Sequence, residues 1–174
     1  PIDLKNFVDV DLKPIKFNYS SVAKDIVNNG HTIQVDFKKG SKITIDNIDF
    51  RLLQFHFHTP SENHIKGEEF PMEAHLVHVD KKGNIAVVAV MFKIGKANPL
   101  LVALWKQMPE KEGQMHYLSK PSRANGILPN SKDYYRFNGS LTTPPGTEGV
   151  RWIVMKKAIT ASKEQVEKFA HVMH

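Results

Sequence analysis

The 174-residue chain contains no cysteine. Thiol nucleophiles, disulfides and cysteine-built zinc fingers are therefore excluded, and the redox compartment is left unmarked. Long apolar runs are also missing. The longest, around Ile85 to Phe92, falls far short of the roughly 18 residues that a membrane span requires, and the first residues show no basic-then-apolar leader pattern. No membrane association is expected. Aromatic residues make up 9% of the chain, and none interleaves with the basic pairs Lys38-Lys39, Lys81-Lys82 and Lys156-Lys157 that contribute to the net charge of +6. A stacking platform for nucleic acid needs such interleaving. The charge reads as solvated surface, and no nucleic-acid partner is expected. With no repeat, low-complexity tract or linker, and with 41% hydrophobic residues, residues 1–174 are expected to form a single domain with a real core.

The patterning that is present is mostly that of strands. Ile33 to Phe37 and Lys42 to Asp46 alternate apolar with polar, and Asn47 to His58 continues the alternation after a turn. The run "IAVVAVMF" from Ile85 is β-branched and apolar on both faces, as a central strand would be. "GVRWIVM" from Gly149 reads as another strand. Two helices are expected at the periphery. One follows Asn98-Pro99, with Leu101, Leu104, Trp105 and Met108 at helical spacing. The other follows a Ser162/Gln165 capping box and carries Val166, Phe169, Ala170 and Met173 on one stripe. Between them, "LSKPSRANGILPNSKD" reads as an irregular connection. The expected class is mainly β (α+β): a central, twisted, mostly antiparallel mixed sheet with a few short peripheral helices.

Against this frame, "QFHFHTPSENHIKGEEFPMEAHLVH", from Gln54 to His78, holds five of the nine histidines. Strand side chains alternate between faces, so His56 and His58 share a face with Gln54 while Phe55 and Phe57 enter the opposite layer. Farther on, Glu73, His75 and Val77 share a face and His78 points away. If the second strand pairs beside the first, His75 meets His56 and His58. Three neutral imidazoles with a fourth position left for water make a catalytic zinc site. Gln54 and Glu73, each two residues from a histidine on the same face, are placed to fix the other ring nitrogens.

These strands resemble the zinc strands of an α-class carbonic anhydrase of the bacterial type. "IVNNGH" at Ile26 to His31, "AVVAVMFKIG" and "FNGSLTTPPGTEGVRWIV" from Phe137 agree in order along nearly the whole chain. The resemblance implies the α-carbonic anhydrase fold, a Zn2+ cofactor held by His56, His58 and His75, and reversible hydration of carbon dioxide to bicarbonate and a proton. The nucleophile it implies is zinc-bound hydroxide, available because zinc lowers the pKa of its water to about 7, a value taken from carbonic anhydrases themselves. Thr142 matches the threonine that orients this hydroxide, and Glu62 the acid that holds the threonine. A carboxylate only accepts, so the threonine hydroxyl donates to it and must accept from the hydroxide. Thr143 resembles the residue that contacts bicarbonate. Val77, Val87, Leu141, Val150 and Trp152 resemble the hydrophobic wall for carbon dioxide. His31 resembles the proton shuttle, a role suited to an imidazole pKa near 6.5, and Asn29 and Gln34 the groups that order the intervening water. Sulfonamide-type and anion inhibitors, and a periplasmic or secreted location, are likewise implied.

Several positions depart from the family's pattern. Asn63 stands where a histidine is common, so an amide must make that residue's hydrogen bonds; a small effect on catalysis is expected. Gly146 replaces the cysteine of the secreted relatives' usual disulfide, whose loss typically costs a few kcal/mol unless compensated. The family's N-terminal segment, of which "PIDL" resembles the end, and its C-terminal strand region have no counterpart in these residues. An exposed sheet edge is expected there, inviting a homodimer or higher oligomer. Two other readings remain open: a non-catalytic binding module of the same fold, and a cupin-type metal enzyme in which Glu62 of His56-x-His58-x-x-x-Glu62 is itself a ligand.

Overall fold

The computed structural model describes residues 12–141, 146 and 148–173. Its strands are β1 (Lys16–Tyr19), β2 (Ala23–Asn28), β3 (Ile33–Phe37), β4 (Ser41–Ile45), β5 (Ile48–His58), β6 (Met72–Val79), β7 (Ile85–Ile94), β8 (Met115–Tyr117), β9 (Tyr134–Ser140), β10 (Glu148–Met155) and β11 (Ile159–Ala161). Two helices, α1 (Pro99–Trp105) and α2 (Lys163–Met173), complete the list. The main path of the sheet runs β8-β2-β3-β5-β6-β7-β10-β9, with β4 and β1 attached to β5 and β11 attached to β7. Pairing is antiparallel except where β10 and β11 run parallel to β7. The mainly β, mixed-sheet expectation holds.

Local chemistry explains the elements that place the site. The β4–β5 hairpin turns on Asp46 and Asn47, at φ 52° and 63°, the left-handed pair that a tight hairpin requires and that Asp and Asn tolerate. The predicted strands therefore shift by one residue at this turn. β7 is buried from Ala86 to Phe92 because β6 and β10 flank it and side chains cover both faces. One face meets the helices: Phe57 packs on Trp105 and Phe169 with ring centroids 5.2 and 5.8 Å apart. Asn98 caps α1 through Leu101 N. Ser162 and Gln165 cap α2 reciprocally at 3.1 and 3.0 Å. The buried Gln165 amide also clasps both backbone groups of Asn98, which ties the two helices together.

Some elements differ from the expectation. Met108 is buried but lies beyond α1, and the irregular connection contains a 3-10 turn, Ala124–Ile127. β1, β2, β8, β9 and β11 carry too short or too polar a pattern to stand out; β8 is exposed at every residue. The cupin expectation fails on architecture, because among the described residues the main sheet path ends in two edges, β8 and β9, and does not close into a barrel.

Candidate metal centre

The face opposite the helices carries the histidines, and strand register brings them together. In the β5–β6 ladder His56 lies opposite His75 and His58 opposite Glu73. Cross-strand partners share a face. One nitrogen from each of His56, His58 and His75 lies within 4.8 Å of the others. The ring centroids of His58 and His75 are 4.5 Å apart.

Hydrogen bonding decides which nitrogens remain available. Gln54 Oε1 lies 2.8 Å from His56 Nδ1, and Glu73 Oε2 lies 2.9 Å from His75 Nε2. An amide oxygen and a carboxylate can only accept, so these ring nitrogens carry the protons, leaving lone pairs on His56 Nε2 and His75 Nδ1. His58 Nε2 is buried and makes no hydrogen bond among the described residues. Burial, reinforced by His75 and His58, lowers the His56 pKa to about 2. Burial and then His75 lower that of His58 to about 3, against a smaller opposing pull from Glu73. Both imidazoles are thus neutral at physiological pH, the form that ligates metal. An unpartnered buried nitrogen beside two fixed lone pairs is a donor set that fits zinc.

Glu73 is completely buried and is the anchor of this arrangement. Besides His75 it accepts from Glu62 N (2.7 Å), Asn63 N (3.0 Å) and Asn63 Nδ2 (2.7 Å). Burial pushes its carboxyl up, but His75 and the Asn63 donors pull it below its ordinary value. The Asn63 amide thus supplies a bond to the anchor. Glu62 Oε1 lies 3.4 Å from His58 Nε2 and 3.9 Å from His75 Nδ1, with no hydrogen-bond partner among the described residues. Its carboxylate therefore borders the centre.

An apolar cluster adjoins the imidazoles. Val77, Val87, Val150 and Trp152 are buried in it, and Leu141 packs against it half-buried. Trp152 meets the His75 ring edge-on at 5.0 Å and stacks on Phe137 at 5.9 Å. Phe137 was not singled out from the sequence, because its partner lies fifteen residues away on a strand of unknown register. Thr142 and Thr143 lie outside the described residues, as does "PIDL". His31 is exposed on the β2–β3 turn, where Asn29 Oδ1 accepts its backbone N–H. Gln34 lies opposite His56 and donates to Asp36 Oδ1 at 2.9 Å. His78, on the other face, is not part of the cluster. Its Nδ1 donates to Ala86 O, so its Nε2 accepts from the Tyr19 hydroxyl at 2.7 Å.

The same face carries an unexpected carboxyl pair. Asp25 lies opposite Asp36, and Asp36 opposite Gln54. Asp25 is 5% exposed and its Oδ1 has no hydrogen-bond partner among the described residues. Burial, then Asp36, raises its pKa to about 6, with Lys24 opposing weakly; Tyr117 is its register neighbour on β8. A raised pKa means the folded state binds the proton more tightly, so this stabilisation is complete below the unfolded pKa and is lost as pH rises toward and through about 6. Asp25→Asn is expected to be nearly neutral at pH ~4 and stabilising by on the order of 2 kcal/mol at pH ~8. Urea unfolding of both proteins at the two pH values checks this; an equal effect at both would contradict it.

A cluster of three imidazoles, two half-buried and one buried, beside an apolar wall on a mixed sheet has the donor set of the catalytic-zinc class of enzymes. Comparison with known proteins gives the family. Residues 1–174 match the family described as eukaryotic-type carbonic anhydrase. The carbonic anhydrase of Pectobacterium carotovorum is 44% identical over 174 residues, covering 100% of this chain and 71% of that protein. That of Klebsiella pneumoniae is 46% identical over 176 residues, covering 100% and 72%. Among solved structures, the α-carbonic anhydrase of Thermovibrio ammonificans in complex with the inhibitor sulfanilamide superimposes with a TM-score of 0.97 at 49% identity, over 99% of this chain and 77% of that one. The chain belongs to the α-carbonic anhydrase family.

Proposed function

We propose that this chain catalyses the reversible hydration of carbon dioxide to bicarbonate and a proton. The observation that carries this reading is the convergence of His56, His58 and His75 beside an apolar wall, in a chain of this family. The three imidazoles are the residues that would hold zinc. When bound there, zinc supplies Lewis acidity that makes a water-derived nucleophile available near neutral pH. Gln54 and Glu73 keep His56 and His75 in the ligating tautomer and resist rotation of their rings. Val77, Val87, Leu141, Val150 and Trp152 offer a small apolar substrate a dry surface next to His75, where bulk water would otherwise compete. Glu62 presents a carboxylate oxygen at the edge of the centre, positioned to accept the proton of a hydroxyl group. Thr142 is assigned as that hydroxyl and Thr143 as a contact for bicarbonate. Product leaves as an anion, and the remaining proton must reach buffer. His31, exposed at the turn, is assigned to carry it, with Asn29 and Gln34 ordering the water between.

Sulfonamide-type and anion inhibitors are proposed to bind at the same centre, supported by the sulfanilamide complex of the Thermovibrio relative. Residues 1–174 are proposed to form one domain, exported to the periplasm or secreted, and to associate through an open sheet edge into a homodimer or higher oligomer. Sedimentation as monomer at high concentration would contradict that association. The convergence of all three imidazoles weighs against a non-catalytic module. Stopped-flow carbon dioxide hydration on the zinc-supplemented chain tests the proposal. Rapid hydration blocked by a sulfonamide is expected; a folded, zinc-loaded protein without activity would overturn it.

A further inference from the structure

The turn that carries His31 is built more firmly than an exposed loop needs to be. Asn29 Oδ1 accepts from both His31 N and Thr32 N at 2.9 Å, and Asn29 N donates to Thr32 O at 3.2 Å. Gly30 stands at φ +85°, where a side chain would be strained, and an added Cβ would fall 2.5 Å from Glu112 Oε1. These features fix the internal shape of the turn. They do not by themselves fix its position relative to the metal centre.

That link is made by Thr32, which is 4% exposed. Its Oγ1 donates to Phe57 O at 2.7 Å and accepts from Phe57 N at 3.2 Å, with a longer approach to Ile33 O at 3.3 Å. Phe57 is the residue between His56 and His58. The hydroxyl therefore replaces a rung of the β3–β5 ladder just beyond its last paired residues, one position from His31 and directly behind two metal-facing imidazoles. The histidine strand does not depend on it, because β6 holds β5 from the other side through the His56–His75 register.

We infer that Thr32 is a positioning residue for proton export: its hydroxyl sets the separation between the His31 imidazole and the metal centre. This rests on the assignment of His31 as proton carrier. Proton export follows release of bicarbonate, so a misplaced carrier lowers kcat but not kcat/KM, which covers only the steps through the first product. A general structural defect would lower both.

The test compares wild type, Thr32→Val, Thr32→Ser and His31→Ala as zinc enzymes, by stopped-flow hydration in dilute and in imidazole-rich buffer. Apart from activity, the paramagnetic relaxation of the His31 ring protons in the cobalt(II)-loaded proteins reports the separation of His31 from the centre, and is expected to change in Thr32→Val but not in Thr32→Ser. Thr32→Val preserves the volume and removes both bonds to Phe57. It is expected to lower kcat by about ten- to a hundredfold in dilute buffer, the upper figure being the loss that a misplacement of about an ångström can cause. Its kcat/KM should stay at the wild-type value, imidazole should restore kcat, and Thr32→Ser should behave as wild type. An unchanged kcat in Thr32→Val while His31→Ala is slowed overturns the inference alone. Parallel loss of kcat and kcat/KM in Thr32→Val also overturns it, in favour of a structural role. No effect of His31→Ala overturns the carrier assignment and this inference with it.

Discussion

His75→Ala lowers zinc affinity by roughly a thousandfold and removes carbon dioxide hydration. The magnitude follows from the number of donors. Zinc held by small protein sites binds with about 10–16 kcal/mol, and with three protein donors the loss of one removes about a third, or roughly 3–5 kcal/mol. The remaining pair, His56 and His58, are neighbours on one strand and cannot close around an ion from a second direction. Substitution also leaves Glu73 Oε2 without its 2.9 Å partner. Competition against a chromophoric chelator measures the affinity. A variant that still binds zinc at the wild-type level would mean that His75 is not a ligand.

Glu73→Ala is the second large effect. It removes the acceptor of four donors at once: Glu62 N, Asn63 N, Asn63 Nδ2 and His75 Nε2. Each buried donor that loses its acceptor costs about 1–3 kcal/mol, so together these losses are a large share of the roughly 5–15 kcal/mol that holds a domain folded. Metal affinity falls in addition by about 10–100-fold, the usual penalty for losing the group that orients a ligating histidine. Glu73→Gln keeps the volume and one acceptor but turns an amide NH2 toward existing donors, so it should fall between the two. Urea unfolding and chelator competition measured together separate the two losses. Stability that falls while affinity is untouched would show that Glu73 supports the loop at Glu62 and Asn63 without supporting His75.

The metal centre was legible in the sequence because it depends on a period of two, a property of any strand. His56 and His58 had to share a face, Phe55 and Phe57 had to share the other, and Glu73, His75 and Val77 had to be in phase. The β5–β6 register then completed the cluster as the spacing required. The apolar β7 was legible because burial on both faces leaves an unbroken hydrophobic run. Features that depend on register between distant strands were not legible. Thr32 meets Phe57 twenty-five residues away, and Asp25 faces Asp36 across a bulged ladder. In the sequence each is a single polar residue in an ordinary turn or strand. The edge strands β8 and β9 escaped for a different reason: solvent on one side removes the apolar alternation that marks a strand.

Cobalt(II) titration of the metal-free protein, followed by visible absorption, tests most directly whether the three imidazoles hold one ion with a position left open. A three-imidazole site predicts one cobalt per chain, with the intense visible bands of a four-coordinate nitrogen-ligated ion, a spectrum that changes when a sulfonamide is added, and loss of the bands in His75→Ala. A weak six-coordinate spectrum, or bands that persist without His75, would contradict it.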